Sequence, residues 1–172
     1  MDYMGNYRIR RAVPGDERIM GCIHTRSWKE AYKDIIPQRI LDNLNLEKRI
    51  ESFKKALREG KEIYGVVLVD DQLVGLICIG ECRDDDLDEH HGEIWGIYIL
   101  PEYWSRGMGR ELTAWGLEEM KKLGYTKAAL WVLAENRRAR TFYEKSGFHF
   151  DGAIKEITLG KTLEECRYIK VL

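Results

Sequence analysis

Hydrophobic and polar residues alternate along this chain in two different periods, and the switches between them mark out the elements. Residues 7–12 alternate as YRIRRA, a strand period. Pro14, Gly15, Asp16 and Glu17 make a turn and an acidic first helical turn, after which Ile19, Ile23, Ser27 and Trp28 fall close to one face of a helix running to about Tyr32. Pro37 starts a second, short helix that Asn43, Leu44 and Asn45 break. Ile50, Phe53 and Leu57 then recur at helical spacing in a third, which Gly60 stops.

The period of two returns in residues 63–69, rich in β-branched side chains. Asp70, Asp71 and Gln72 form a turn, and residues 73–79 resume the apolar run, so the pair reads as a hairpin. Gly75 and Gly80 suggest a bulge or a bend in its second strand. A central strand starts at Glu93 and ends at Leu100. A loop with Pro101 and two aromatics leads to a helix over residues 107–123, with Met108, Leu112, Trp115 and Leu123 on one stripe and Gly124 as its cap. Residues 126–133 are a strand close enough behind that helix to complete a strand, helix, parallel strand unit. Asn136 caps a helix with Ala139, Phe142 and Tyr143 on one face, Gly147 ends it, and residues 150–159 and 166–171 make a last hairpin around Gly160.

The 172 residues fit one domain, 1–172, able to build a core without disulfides. Lys and Arg number 28 against 29 Asp and Glu, so net charge argues for neither nucleic acid nor an anionic membrane as partner. There is no leader pattern at the start and no membrane-length apolar run, which leads us to expect a cytoplasmic protein. Cys22, Cys78, Cys82 and Cys166 are scattered and read as reduced and structural. The stretch RDDDLDEHH, 83–91, offers metal-ligand types with nothing to fix a ligand geometry. We expect no metal there, only a solvated loop or an acidic rim that attracts a cationic substrate.

Candidate chemistry centres on residues 93–112, EIWGIYILPEYWSRGMGREL. Ser105, Arg106, Gly107, Met108, Gly109 and Arg110 lie where a helix opens, and glycines there let the backbone approach an anion that the unpaired first-turn N–H groups can bind. Alone, GxG does not separate this cradle from a tight turn. A dinucleotide fingerprint fails, because its third glycine position is Leu112 and several loop residues separate strand from glycines. The Gly160-Lys161-Thr162 tripeptide is an accidental match to a phosphate loop, whose other glycine position is Lys155.

Together with NRRARTFYEKSGF, residues 136–148, this segment resembles the GNAT superfamily of N-acetyltransferases. Asn136, Ala139, Phe142, Tyr143, Gly147 and Phe148 all match the family's NxxAxxFYxxxGF helix, and the order of elements fits over nearly the whole chain. One departure is Trp104, where the family often has Gln or Arg.

The resemblance implies an α/β (α+β) fold: a mixed, mostly antiparallel sheet of six or seven strands with helices on both faces and a V-shaped central opening. It implies acetyl-CoA as co-substrate, held by the 105–110 loop, by the exposed strand edge at Ile97, Tyr98 and Ile99, and by Asn136, Ala139 and Phe142. Acetyl transfer to a primary amine of a small molecule or peptide would proceed by direct attack in a ternary complex. Tyr143 would protonate the departing thiolate and Glu93 would be the base, with Glu81 or an acid of the following loop as alternatives. Trp28 and Tyr32, which helical spacing alone reads more often as core, would line the acceptor pocket, and their surroundings resemble the specificity region of small family members, some of which act on polyamines. A homodimer is compatible with this reading. The competing readings are a non-catalytic acyl-CoA-binding or regulatory module and, more remotely, a nicotinamide-dependent oxidoreductase.

Overall fold

The computed structural model describes residues 5–172. The elements run β1 (Tyr7–Arg11), α1 (Glu17–Ala31), α2 (Gln38–Asp42), α3 (Leu46–Glu59), β2 (Ile63–Val69), β3 (Gln72–Glu81), β4 (His91–Ile99), a 3-10 turn (Pro101–Tyr103), α4 (Met108–Lys122), β5 (Lys127–Leu133), α5 (Arg137–Lys145), β6 (His149–Thr158) and β7 (Thr162–Val171). The strands form one seven-stranded sheet in the order β1-β2-β3-β4-β5-β7-β6, and only the β4–β5 pair is parallel. No helix among the described residues is long and apolar enough to cross a membrane.

Three apolar clusters hold the layers together. On one face Leu112 and Met120 of α4 pack with Ile77, Ile79, Leu130 and Tyr168 of the sheet. On the other, Met20 and Ile23 of α1 and Phe53 of α3 meet Val66, Leu68 and Leu76. Farther along that second face, Ile36 and Leu41 cover Leu133 and Leu163. Because both faces of β3 are covered, residues 73–79 are all buried, which is why they read as an unbroken apolar run.

Strand ends depart from expectation. β4 begins at His91, so the loop before it is shorter, and β7 begins at Thr162 because Leu163 is buried under α2 although its neighbours are polar. The β2–β3 turn is a two-residue loop with Asp70 and Asp71 both at positive φ, the twist a tight hairpin favours. Two bulges matter. Val74, beside Gly75, is the extra residue in the β2–β3 ladder. Trp95 is extra in β4 against Cys78 and Ile79, a bulge with no signal in the sequence. A bulge bends its strand and sharpens the twist.

Candidate active site

The Trp95 bulge comes just after the last rung between β4 and β5. The two strands pair through His91, Gly92 and Glu93 with Lys127, Ala128 and Ala129, and then diverge. Past the bulge β4 stays bonded to β3 alone, so Ile97, Tyr98 and Ile99 lie on an open edge. The expected V is formed there.

At the mouth of the V the chain turns through Ser105 (φ 59°) and Gly107 (φ 88°) into α4. A side chain at Gly107 would be strained in that conformation. The first intrahelical bond runs from Glu111 N to Gly107 O at 3.1 Å, so the N–H groups of Met108, Gly109 and Arg110 stand ahead of it. A Cβ on Gly109 would lie 3.3 Å from the Phe142 ring, which seats α5 against this turn. Asn136 Oδ1 accepts from Ala139 N at 3.2 Å, capping α5 as expected, and Ala139 packs against the α4-side cluster. Cations surround the loop. Arg106 lies 5.3 Å from the Tyr103 ring centre, and Arg110 is exposed beside Glu111.

Two residues of this region, Arg138 and Trp104, were not among the site residues expected from the sequence. Arg138 stacks 4.0 Å above Trp104 and reaches Ser105 Oγ at 3.5 Å, adding a third cation to the loop. Trp104 donates from Nε1 to Ile99 O at 2.8 Å, closing the end of β4. The family departure at Trp104 therefore has a structural task. The double arginine in NRRAR was the available signal for Arg138.

Inside the V, aromatic groups converge. Tyr143 packs edge-on to Phe142 and Phe148, and burial, reinforced by Tyr98, pushes its phenol well above the ordinary range. Tyr32 is shifted the same way by burial and by Tyr98, Tyr143 and Glu165 around it. Trp28 lies 5.0 Å from Tyr32, and His24 lies 4.5 Å from Tyr98. The Tyr98 ring folds back over Gly96, where a Cβ would meet it at 2.6 Å. Tyr98 thus offers its backbone to the edge and its ring to this wall. Trp28 and Tyr32 are half-buried and pack against the α2-side cluster, so they are both core and lining. Trp28 Nε1 is buried without a partner of hydrogen-bonding geometry, although the Tyr98 hydroxyl is its neighbour.

Glu93 lies apart from this wall, at the paired end of β4. It is 1% exposed, and Arg83 engages it through the backbone N at 3.0 Å, Nε at 3.4 Å and Nη2. Arg83 also stacks 4.0 Å over Trp95. The acidic loop is spent in a similar way. Buried Arg167 holds Asp86 at 2.6 and 2.8 Å, Asp84 at 3.2 Å and Asp151 at 2.7 Å, while Trp131 Nε1 donates to Asp84. The hydrogen bond to Asp86 leads the rise in the Arg167 pKa, so two acids of the loop, Asp84 and Asp86, are engaged by a buried arginine.

Comparison with known proteins agrees with this geometry. The model of the acetyltransferase (GNAT) family matches residues 16–148. YuaI of Bacillus subtilis, an uncharacterised N-acetyltransferase, is 27% identical over 164 residues, covering 88% of this chain and 91% of its own. Rv2775 of Mycobacterium tuberculosis, a probable N-acetyltransferase, is 27% identical over 149 residues, 86% and 82% of the two chains. Among solved structures, the PaiA N-acetyltransferase of Thermoplasma acidophilum in complex with coenzyme A shares the fold with a TM-score of 0.79, at 22% identity over 97% of this chain and 99% of that one.

Proposed function

This chain belongs to the acetyltransferase (GNAT) family, and from that premise we propose that it transfers an acetyl group from acetyl-CoA to a primary amine of a small molecule or peptide by direct attack in a ternary complex. The observation that carries the reading is a single junction. An unpaired strand edge, a helix opening with free N–H groups and a half-buried tyrosine of α5 come together where β4 leaves β5.

The residues present suit the co-substrate. Three unpaired N–H groups with Arg106, Arg110 and Arg138 nearby would hold a pyrophosphate, and the β4 edge would pair with the amides of an extended pantetheine arm. Acetyl-CoA supplies an activated acyl thioester. A backbone N–H of the 97–99 edge would receive the carbonyl oxygen as charge builds on it. A tyrosine hydroxyl is protonated at neutral pH, the state a donor to the leaving sulfur needs, and burial moves Tyr143 further from ionisation. Because a free thiol, near ~8.5, is the stronger acid, Tyr143 acts chiefly by a hydrogen bond to the sulfur, and solvent completes the protonation.

Glu93 was the expected base. With its carboxylate engaged by Arg83, we assign it the task of fixing the start of the acidic loop to β4. That engagement is also the observation favouring a non-catalytic acyl-CoA-binding module. Thiol release from acetyl-CoA on adding spermidine, an aminoglycoside or a peptide with a free N-terminus separates the two. Amine-dependent release supports the transferase, and binding of acetyl-CoA without release under any of the amines supports the module.

A further inference from the structure

Glu165 of β7 stands on the acceptor side of the V. Its cross-strand partners are Leu133, at the end of β5, and Lys155 of β6. Directly opposed residues share a face of the sheet, and so do residues two apart, so Glu165 lies on the face of Leu133 and Leu163. That is the cluster against which Trp28 and Tyr32 pack. Glu165 is among the groups felt by the Tyr32 phenol, together with Tyr98 and Tyr143. Register and this apolar cluster place Glu165 on the side of the sheet that Trp28 and Tyr32 cover.

The Glu165 side chain is only 20% exposed, and Lys155 Nζ makes a long ion pair with its Oε2 at 3.7 Å. Lys155 is shared with the Trp131 ring, over which it stands at 4.1 Å, so it compensates the carboxylate only in part. A half-hidden carboxylate held this way is costly unless something binds it. Glu93 presents the opposite case, bonded three times by Arg83.

We propose that Glu165, rather than Glu93, receives the ammonium group of the acceptor and accepts its proton. This rests on the transferase reading above. The neighbouring rings of Trp28, Tyr32 and Tyr98 favour a cation and an apolar stem, so the acceptor class is a primary amine on an uncharged alkyl or aryl-alkyl chain. The R–NH3+ group gives one proton to the Glu165 carboxylate, which returns it to solvent. The C–N bond forms as the C–S bond breaks, and the second proton ends on sulfur. In water the two groups differ by about six pK units. Burial raises the Glu165 pKa and narrows that gap, with Lys155 and Arg83 pulling it down and Glu93 pushing it up.

The test uses the full chain as wild type, Glu165→Gln, Glu93→Gln and Lys155→Ala, with acetyl-CoA and hexylamine or phenylethylamine. Glu165→Gln should lower kcat/KM for the amine about 100-fold or more and abolish the acidic limb of its pH profile, while keeping the rise in melting temperature with CoA. Glu93→Gln should keep that limb and melt lower. Lys155→Ala removes a cation that depresses Glu165, so its limb should move to higher pH, and this decides the matter if Glu165→Gln does not fold. A wild-type limb in Glu165→Gln, or an unmoved limb in Lys155→Ala, would overturn the assignment while leaving the transferase intact. A wild type that releases no thiol with these amines, with spermidine, with an aminoglycoside or with a peptide carrying a free N-terminus would remove the transferase reading, and this role with it.

Discussion

Tyr143, packed with Phe142 and Phe148, and His24, packed with Trp28, Phe53 and Tyr98, are both shifted by burial, with opposite consequences. For Tyr143 the neutral form is the useful one. Tyr143→Phe removes the hydroxyl and little else, so kcat should fall about 100-fold with acetyl-CoA affinity kept, as read by turnover and calorimetry side by side. His24 is 4% exposed, and burial, with Arg49 nearby, lowers its pKa to about 3. The unfolded chain takes up that proton near ~6.5 and the native state does not, so stability falls as the pH drops below the unfolded value. The slope from this residue is on the order of 1.4 kcal/mol per pH unit between those limits. Urea midpoints at pH 7 and pH 5 should therefore converge in His24→Phe relative to wild type, and an unchanged difference would refute the assignment. Tyr143 could be singled out from sequence because its motif is contiguous. Glu165, the residue we propose as base, could not, since only the register of β7 with β5 puts it beside Leu133, and it lies inside a polar stretch, TLEEC, that carries no periodic signal.

Among the elements, β4 and α5 have the strongest hold on the site. The β4–β5 opening depends on where pairing stops and on the Trp95 bulge. Alternation in residues 93–100 revealed the strand but not the bulge, because one extra residue changes pairing without changing composition. The α5 helix is set by its cap. It is nine residues long, so losing one terminal bond matters to it. Asn136→Ala should cost about 1 kcal/mol in urea unfolding. It should also weaken acetyl-CoA binding, since α5 carries Arg138, Phe142 and Tyr143 into the site. Full stability together with wild-type binding would contradict this account of the helix.

At the scale of the whole molecule, the site exists because one parallel pair interrupts an otherwise antiparallel sheet. The order of elements predicted that pair, since a helix must carry the chain back to lay β5 beside β4. The Arg167 network was beyond reach, because Asp84, Asp86 and Asp151 meet it from a loop and an edge strand far away in sequence. The central claim, that the β4 edge and the turn into α4 form an acyl-CoA site, is tested most directly by the melting temperature with acetyl-CoA, CoA and NADH in parallel. A ligand that binds only the native state at 100 times its Kd adds about 2.7 kcal/mol of stability. We predict a clear rise with acetyl-CoA and CoA and none with NADH. No rise with either CoA form would contradict the claim and the mechanism built on it.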